Sequence, residues 1–227
     1  MSSRCAILFD LDGTLADTAP DLAWATNRVL EEEGLAPLPI ETLRPAASHG
    51  AGGLLRHALG RDGDAERFER RRQRLVEHYR TRDHAGTRLF DGMDAVLAWL
   101  EGNGFAWGVV TNKPQALTVP LMERLGLLTR CAALVSGDTL PTSKPDPAPL
   151  LHACHLAQLD AAHTLYVGDA ERDIQAGRHA GMRTVLALYG YLGPDDRWTE
   201  WQADATVETP DGLPAQLRQL IPSCNRP

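Results

Sequence analysis

Four polar clusters in this sequence bring together residue types that can transfer a phosphoryl group. Asp10 and Asp12 lie in Phe9-Asp-Leu-Asp-Gly-Thr-Leu15, followed by Thr111-Asn112-Lys113, Ser143-Lys144-Pro145-Asp146 and Gly168-Asp169-Ala-Glu-Arg-Asp173. Four carboxylates gathered in one pocket would repel each other strongly. A hard divalent cation such as Mg²⁺ makes them tolerable, because it takes one or two carboxylates together with water and phosphate oxygens. A carboxylate beside such an ion can attack phosphorus and form an aspartyl-phosphate. The ion screens nucleophile from phosphate. A hydroxyl (Thr111) and an ammonium (Lys144) can hold the equatorial oxygens. Asp12, two residues past Asp10, points to the opposite side of an extended chain. A break at Gly13 returns it to the leaving oxygen as general acid and then base.

Those clusters require a scaffold that brings distant residues to one edge. The apolar runs Cys5–Phe9, Phe105–Val110, Ala132–Val135, Thr164–Val167 and Thr184–Leu188 read as buried strands, with a weaker one at Ala205–Val207. Helical stripes alternate with them over residues 89–227 (Met93, Val96, Leu97, Leu100, then Leu121, Leu125, Leu128), and Pro147 opens another helix. This alternation predicts a Rossmann-like α/β core, an open parallel sheet covered on both faces. Ligands bind such sheets at the carboxyl ends of the strands. Residues 17–85 break the pattern: they carry three helical stripes and no convincing strand. They are expected to form an inserted all-helical domain, with 1–16 and 86–227 making the core. The run Arg70, Arg71, Arg72, Arg74 is expected to be a solvated helix face.

Composition narrows the function. The 227 residues carry 23 basic and 30 acidic side chains, a net charge of −7, which disfavours sequence-blind nucleic-acid binding. No apolar run approaches a membrane span, and Asp10 comes too early for a signal peptide, so a cytoplasmic protein is expected. The four scattered cysteines (Cys5, Cys131, Cys154, Cys224) are expected to be reduced thiols. Of the 23 basic residues only Lys113 and Lys144 are lysine, and both fall inside the polar clusters. An ammonium is a compact point charge where a guanidinium is broad and planar.

At these four clusters the chain resembles the haloacid dehalogenase superfamily of phosphatases. That resemblance implies Asp10 as nucleophile and Asp12 as general acid/base. It implies Mg²⁺ held by Asp10, the Asp12 carbonyl and Asp169, with Asp173 orienting its waters, and phosphate bound by Thr111 and Lys144. The helical insert resembles the family's cap. Helical-capped members include phosphoglycolate phosphatases. The wording at Arg88–Met93, Trp107–Pro114 and Tyr189–Tyr191 is closer to the bacterial N-acetylmuramic acid 6-phosphate phosphatases of peptidoglycan recycling.

Single residues weigh the alternatives. A dehalogenase does not need Asp12. A phosphonate hydrolase of this superfamily needs a cap lysine, and residues 17–85 have none. A sugar phosphomutase shares all four motifs, and a non-catalytic binding module would tolerate loss of Asp12 or Lys144. The partner expected is a small phosphomonoester, with oligomeric state open. Asn112 is a further candidate for substrate binding. So are His49, Gly50 and Arg56, which sit in or just after the Gly-rich segment Ser48–Gly53, expected to be a flexible loop whose amides meet an anion at the following helix. Tyr189 and Tyr191 are expected to pack under a loop.

Overall fold

In the computed structural model, residues 5–60 and 63–221 are described. The expected strands form. Strand β1 (Ala6–Phe9) leads to a two-residue strand β2 (Ala16–Asp17). Four helices follow: α1 (Ala19–Glu32), α2 (Ile40–Leu43), α3 (Gly50–Leu59) and α4 (Ala65–Thr81). The chain returns through β3 (Arg88–Leu89), which pairs antiparallel with β2. The two crossings into and out of the helical segment are thus tied side by side. Then come α5 (Met93–Gly102), β4 (Ala106–Val110), α6 (Gln115–Arg124), β5 (Leu134–Val135) and α7 (Ala148–Ala157). The chain ends through β6 (Thr164–Gly168), α8 (Glu171–His179), β7 (Arg183–Ala187), β8 (Ala205–Val207) and α9 (Leu213–Leu220).

Six strands make one parallel sheet in the order β5-β4-β1-β6-β7-β8. Side chains alternate across it. Ile7, Phe9, Trp107, Val109, Leu165 and Val167 pack with α5, α6 and α9 on one face. Leu8, Val110 and Tyr166 pack with α7 and α8 on the other. The order reverses beside β1, with β4 on one side and β6 on the other, and such a switch point opens a crevice at the strand ends.

The helices between β2 and β3 gather around their own apolar cluster, built from Leu22, Ala25 and Val29 of α1, Leu54 and Leu55 of α3, and Leu75 and Tyr79 of α4. The arginine run is not simply solvated. Arg71 and Arg74 pair with Glu33 and Glu32, linking α4 to the end of α1, while Arg70 and Arg72 pair within α4. The expected loop at Ser48–Gly53 is also corrected. Arg44–His49 forms a 3-10 turn and Gly50–Gly53 is the first turn of α3. Glycine's poor helix propensity hid that start. A Cβ at Gly53 would lie 2.1 Å from the His49 Cβ, so glycine there lets the turn fold back onto the helix.

Cys131 and Cys154 are free thiols, and burial pushes the Cys154 thiol up to about 11. Cys5 is disulfide-bonded, which corrects the expectation of four reduced thiols. Cys224 lies outside the described residues. Among those residues no helix is long and apolar enough to cross a membrane.

Candidate active site

The switch point collects the motif residues. Asp10 follows β1, Thr111 follows β4, and Asp169 follows β6, with Asp173 in the first turn of α8. Oxygen atoms of Asp10, Asp169 and Asp173 all lie within 4.8 Å of one another. Asp10 is held through Oδ1, which accepts the Leu11 N–H at 2.7 Å and lies 2.8 Å from the Lys144 ammonium. Its Oδ2 faces Arg172 Nη2 at 4.0 Å. Burial raises its pKa, Lys144 opposes that, and the Asp173 charge adds to it.

Lys144 lies beneath this cluster rather than in front of it. Its side chain is fully enclosed. Nζ reaches Asp10 Oδ1 and Asp173 Oδ1 at 2.8 Å each, the Tyr166 hydroxyl at 2.8 Å and the Val110 carbonyl at 2.9 Å. An ammonium has three protons, so protein acceptors occupy all of them. Asn112, expected at the substrate, uses both ends of its amide on Lys144, donating to its carbonyl at 2.9 Å and accepting its N–H at 3.0 Å. It positions the lysine loop.

Asp12 reaches the site because the chain turns sharply after β1. The N–H groups of Leu15 and Ala16 both donate to the Leu11 carbonyl, and Gly13 adopts φ +87°. A Cβ at Gly13 would lie 2.1 Å from Asp169 Oδ2, so only glycine fits both the turn and its neighbour. Asp12 Oδ1 accepts from the Thr18 hydroxyl at 2.5 Å and from Lys113 Nζ at 2.9 Å. Lys113 in turn lies 4.4 Å from the ring centre of Tyr79 on α4. This lysine therefore joins the general acid/base candidate to the helical segment. The Thr111 hydroxyl accepts the Lys113 N–H at 3.1 Å, which leaves its proton free to donate.

The donor set fits a divalent metal. Asp169 is buried, and its Oδ1 has no hydrogen-bond partner. Its Oδ2 accepts from Ser48 Oγ at 2.6 Å and from the Tyr191 N–H at 2.9 Å. Burial pushes the Asp169 carboxyl up to about 7, with the Asp173 and Asp10 charges adding to it. A buried carboxylate oxygen without a donor, beside two further carboxylates, is the arrangement a hard cation satisfies. Asp173 is also a structural residue: its Oδ2 accepts the Ala170 N–H at 3.1 Å at the start of α8.

Above the carboxylates lies a cavity of about 1410 Å³. Asp10, Asp12, Thr111, Asn112, Lys113 and Arg172 line its floor, while His49, Gly50 and Arg56 line the wall formed by the helical segment. Burial and the charges of Arg172 and Arg56 lower the His49 pKa, so this ring is neutral at neutral pH. Arg56 lies 5.5 Å from the ring centre of Phe68. Tyr189 and Tyr191 are packing residues as expected. Tyr189 donates to the Thr14 carbonyl, and the Tyr191 hydroxyl binds Asp17 and the N–H groups of Thr18 and Ala19 where α1 begins. Sequence reasoning missed Arg172, Ser48 and Tyr166. Arg172 was detectable, because a cation in a helix's first turn opposes the helix dipole and needs a local reason. Ser48 and Tyr166 carried no comparable signal.

A Rossmann-like sheet whose switch point carries a buried carboxylate cluster under a helical cover defines a class of hydrolase. Residues 7–187 match the haloacid dehalogenase-like hydrolase family, and the chain belongs to it. It is similar to an N-acetylmuramic acid 6-phosphate phosphatase of Pseudomonas putida, at 42% identity over 96% of both chains. It is also similar to a phosphoglycolate phosphatase of Xanthomonas campestris pv. campestris, at 45% identity over 92% of this chain and 94% of that one. A crystal structure described as a predicted phosphoglycolate phosphatase from Haemophilus somnus superposes with a TM-score of 0.83 at 26% identity, covering 95% of this chain and 99% of that one. With phosphatase relatives at such identity over nearly the whole chain, it is a phosphatase.

Proposed function

We propose that this phosphatase uses Mg²⁺ and an aspartyl-phosphate intermediate to hydrolyse N-acetylmuramic acid 6-phosphate. The observation that carries the substrate is the size of the cavity, about 1410 Å³ between the carboxylates and α3. Phosphoglycolate places its carboxylate next to its phosphate and would leave most of that space to water. The muramic acid ester places its lactyl carboxylate across a sugar ring. The Arg56 guanidinium folds back along α3, with Nη2 3.5 Å from where a Gly52 Cβ would stand. Ser48 touches Asp169, and Arg56 stands eight residues further on, on the wall of the cavity and not on its floor. A charge at that remove from the phosphate suits the longer substrate, and neutral His49 suits a sugar hydroxyl.

The chain's own residues then divide the work. Oδ1 of Asp10 is held by Lys144 and the Leu11 N–H, so Oδ2 attacks phosphorus. As the Asp10–phosphorus bond forms and the ester bond breaks, Asp12 acts as general acid and passes a proton to the leaving oxygen. Asp12 then takes a proton from water, the water oxygen attacks phosphorus, and Asp10 is released as carboxylate. Thr111 donates to an equatorial oxygen as charge accumulates there. Asp10, the Asp12 carbonyl and Asp169 would hold Mg²⁺, with Asp173 beside it, and the bound ion would supply positive charge that screens nucleophile from phosphate.

The names of the relatives favour phosphoglycolate as a second reading. The test is kcat/KM for the two esters at one Mg²⁺ concentration and pH. We expect the muramic acid ester to be preferred. A tenfold preference for phosphoglycolate, about 1.4 kcal/mol in transition-state binding, would overturn the substrate and leave the phosphatase intact.

A further inference from the structure

The cation expected to meet the phosphate, Lys144, is fully enclosed and has no proton to spare. It sets the charge and orientation of Asp10 from below. Arg172 is placed differently. It occupies the first turn of α8, where the helix dipole disfavours a cation. Its side chain is 20% exposed and lines the cavity floor beside Asp10. One N–H donates to the Ser48 carbonyl at 2.7 Å. The nearest carboxylate oxygen, Asp10 Oδ2, is 4.0 Å away, too far for a hydrogen bond. A guanidinium carries five N–H donors in a planar fork that matches phosphate geometry. Its other donors meet no acceptor within hydrogen-bond distance among the described residues, and the side chain lines the cavity that opens onto Asp10.

We propose that Arg172 is a further phosphoryl-binding residue, and that its bond to the Ser48 carbonyl couples occupancy of the phosphate site to the seating of the 3-10 turn Arg44–His49 on the carboxylate cluster. This rests on the phosphatase reading and adds a residue to it. Ser48 is held at two points, through Oγ on Asp169 and through its carbonyl on Arg172. A phosphoryl group that draws the guanidinium toward Asp10 fixes the donor on which the turn rests. The turn carries His49 and leads into α3, so the leaving-group wall is set by the phosphate end. The surrounding carboxylates Asp10, Asp169 and Asp173 keep the guanidinium charged, and its pKa lies above the ordinary arginine value.

Inorganic phosphate, which has no leaving group, separates contact with the phosphoryl group from scaffolding of the wall. Inorganic phosphate binding is measured by calorimetry with Mg²⁺ present, for wild type, Arg172→Lys and Arg172→Ala. Turnover of p-nitrophenyl phosphate is measured alongside. We expect Arg172→Ala to weaken phosphate at least tenfold and lower kcat about 100-fold, about 2.7 kcal/mol of transition-state stabilisation. Added guanidinium ion should restore part of that rate, and Arg172→Lys should fall in between. Unchanged phosphate affinity in Arg172→Ala, or in Arg172→Lys should the alanine variant not fold, overturns the proposal. So does a rate that guanidinium does not raise. A wild type that binds phosphate but hydrolyses no ester would overturn the phosphatase reading and leave the binding comparison standing.

Discussion

Arg172 aside, the floor of the cavity and the groups beneath it hold their charges in the opposite way to the wall. On the floor, Lys144 meets four acceptors within 2.9 Å, and Asp12 Oδ1 accepts from both Thr18 and Lys113. On the wall, Arg56 leans on one aromatic ring and has no carboxylate partner among the described residues. The contrast matches two tasks. Charge that develops in a transition state is stabilised best by groups already fixed, because nothing then reorganises as the reaction proceeds. A leaving group with hydroxyls and a carboxylate can be met by side chains that settle on binding. Substitutions on the floor should therefore damage every substrate alike, and those on the wall should damage only some.

The largest effect expected is at Asp10, the proposed nucleophile. Asp10→Asn keeps the shape and removes the attacking oxygen's charge, so turnover should fall by about 10⁴-fold or more on any phosphomonoester. Its melting temperature should not fall, because burial already disfavours the charged carboxylate. Substantial Mg²⁺-dependent activity in a clean preparation would remove Asp10 from its role. Chelation should be nearly as severe for all substrates. Asp169→Ala, measured by a Mg²⁺ titration of the rate, should raise the metal requirement and lower the maximum together.

Lys144 comes next, and here stability should move with rate. Removing a buried partner leaves Asp10 and Asp173 facing each other, which costs about 3–5 kcal/mol in comparable buried pairs. Lys144→Ala should therefore lower kcat about 10³-fold and shift the denaturant midpoint. Lys144→Arg should rescue neither fully, because the side chain is enclosed on all sides. Normal stability with lost activity would mean that the ammonium acts on substrate and not on the floor.

The same contrast explains what could be read before the structure. The strands were legible because a buried parallel strand is a short apolar run, and Asp10, Thr111 and Asp169 follow such runs directly. A parallel sheet must bring those ends to one edge. The bond pattern of Lys144 was not legible, since its acceptors come from β1, β4, β6 and α8. The wall was harder. Gly50–Gly53 looks like a loop by propensity and is the first turn of α3, where the close approach of His49 leaves no room for a side chain at Gly53. Arg172 stands one residue from a motif carboxylate, and only the fold shows that it faces Asp10.

Arg56 tests the wall directly. N-acetylglucosamine 6-phosphate differs from the muramic acid ester by lacking the lactyl group, so the pair isolates the second anion. Arg56→Ala should lower kcat/KM for the muramic acid ester by about 10- to 100-fold, through loss of a charge-assisted contact. For the glucosamine ester it should change by less than about twofold. Equal losses on both would place Arg56 among residues that hold the wall together.

The smallest effect concerns the floor without metal, and its sign follows from Asp169. Its carboxyl is pushed up to about 7 from 3.8, chiefly by burial, with Asp173 and Asp10 adding to the shift. Lys144 faces the same cluster from beneath and Arg172 faces it from the cavity. Between those two values the folded protein holds a proton that the unfolded chain has released. The stability this contributes is fully present below the unfolded value and is lost as pH rises through about 7. Metal-free protein should therefore melt on the order of a few degrees lower at about pH 8 than at about pH 5.5. Asp10, whose pKa is also raised, contributes with the same sign. Asp169→Asn, which cannot titrate, should flatten most of this slope. Mg²⁺ should restore the wild type more at the higher pH, where the carboxylates are charged and bind it. Thermal unfolding with and without Mg²⁺ at both pH values reads all three, and a wild-type slope that survives Asp169→Asn would move the titration to another group.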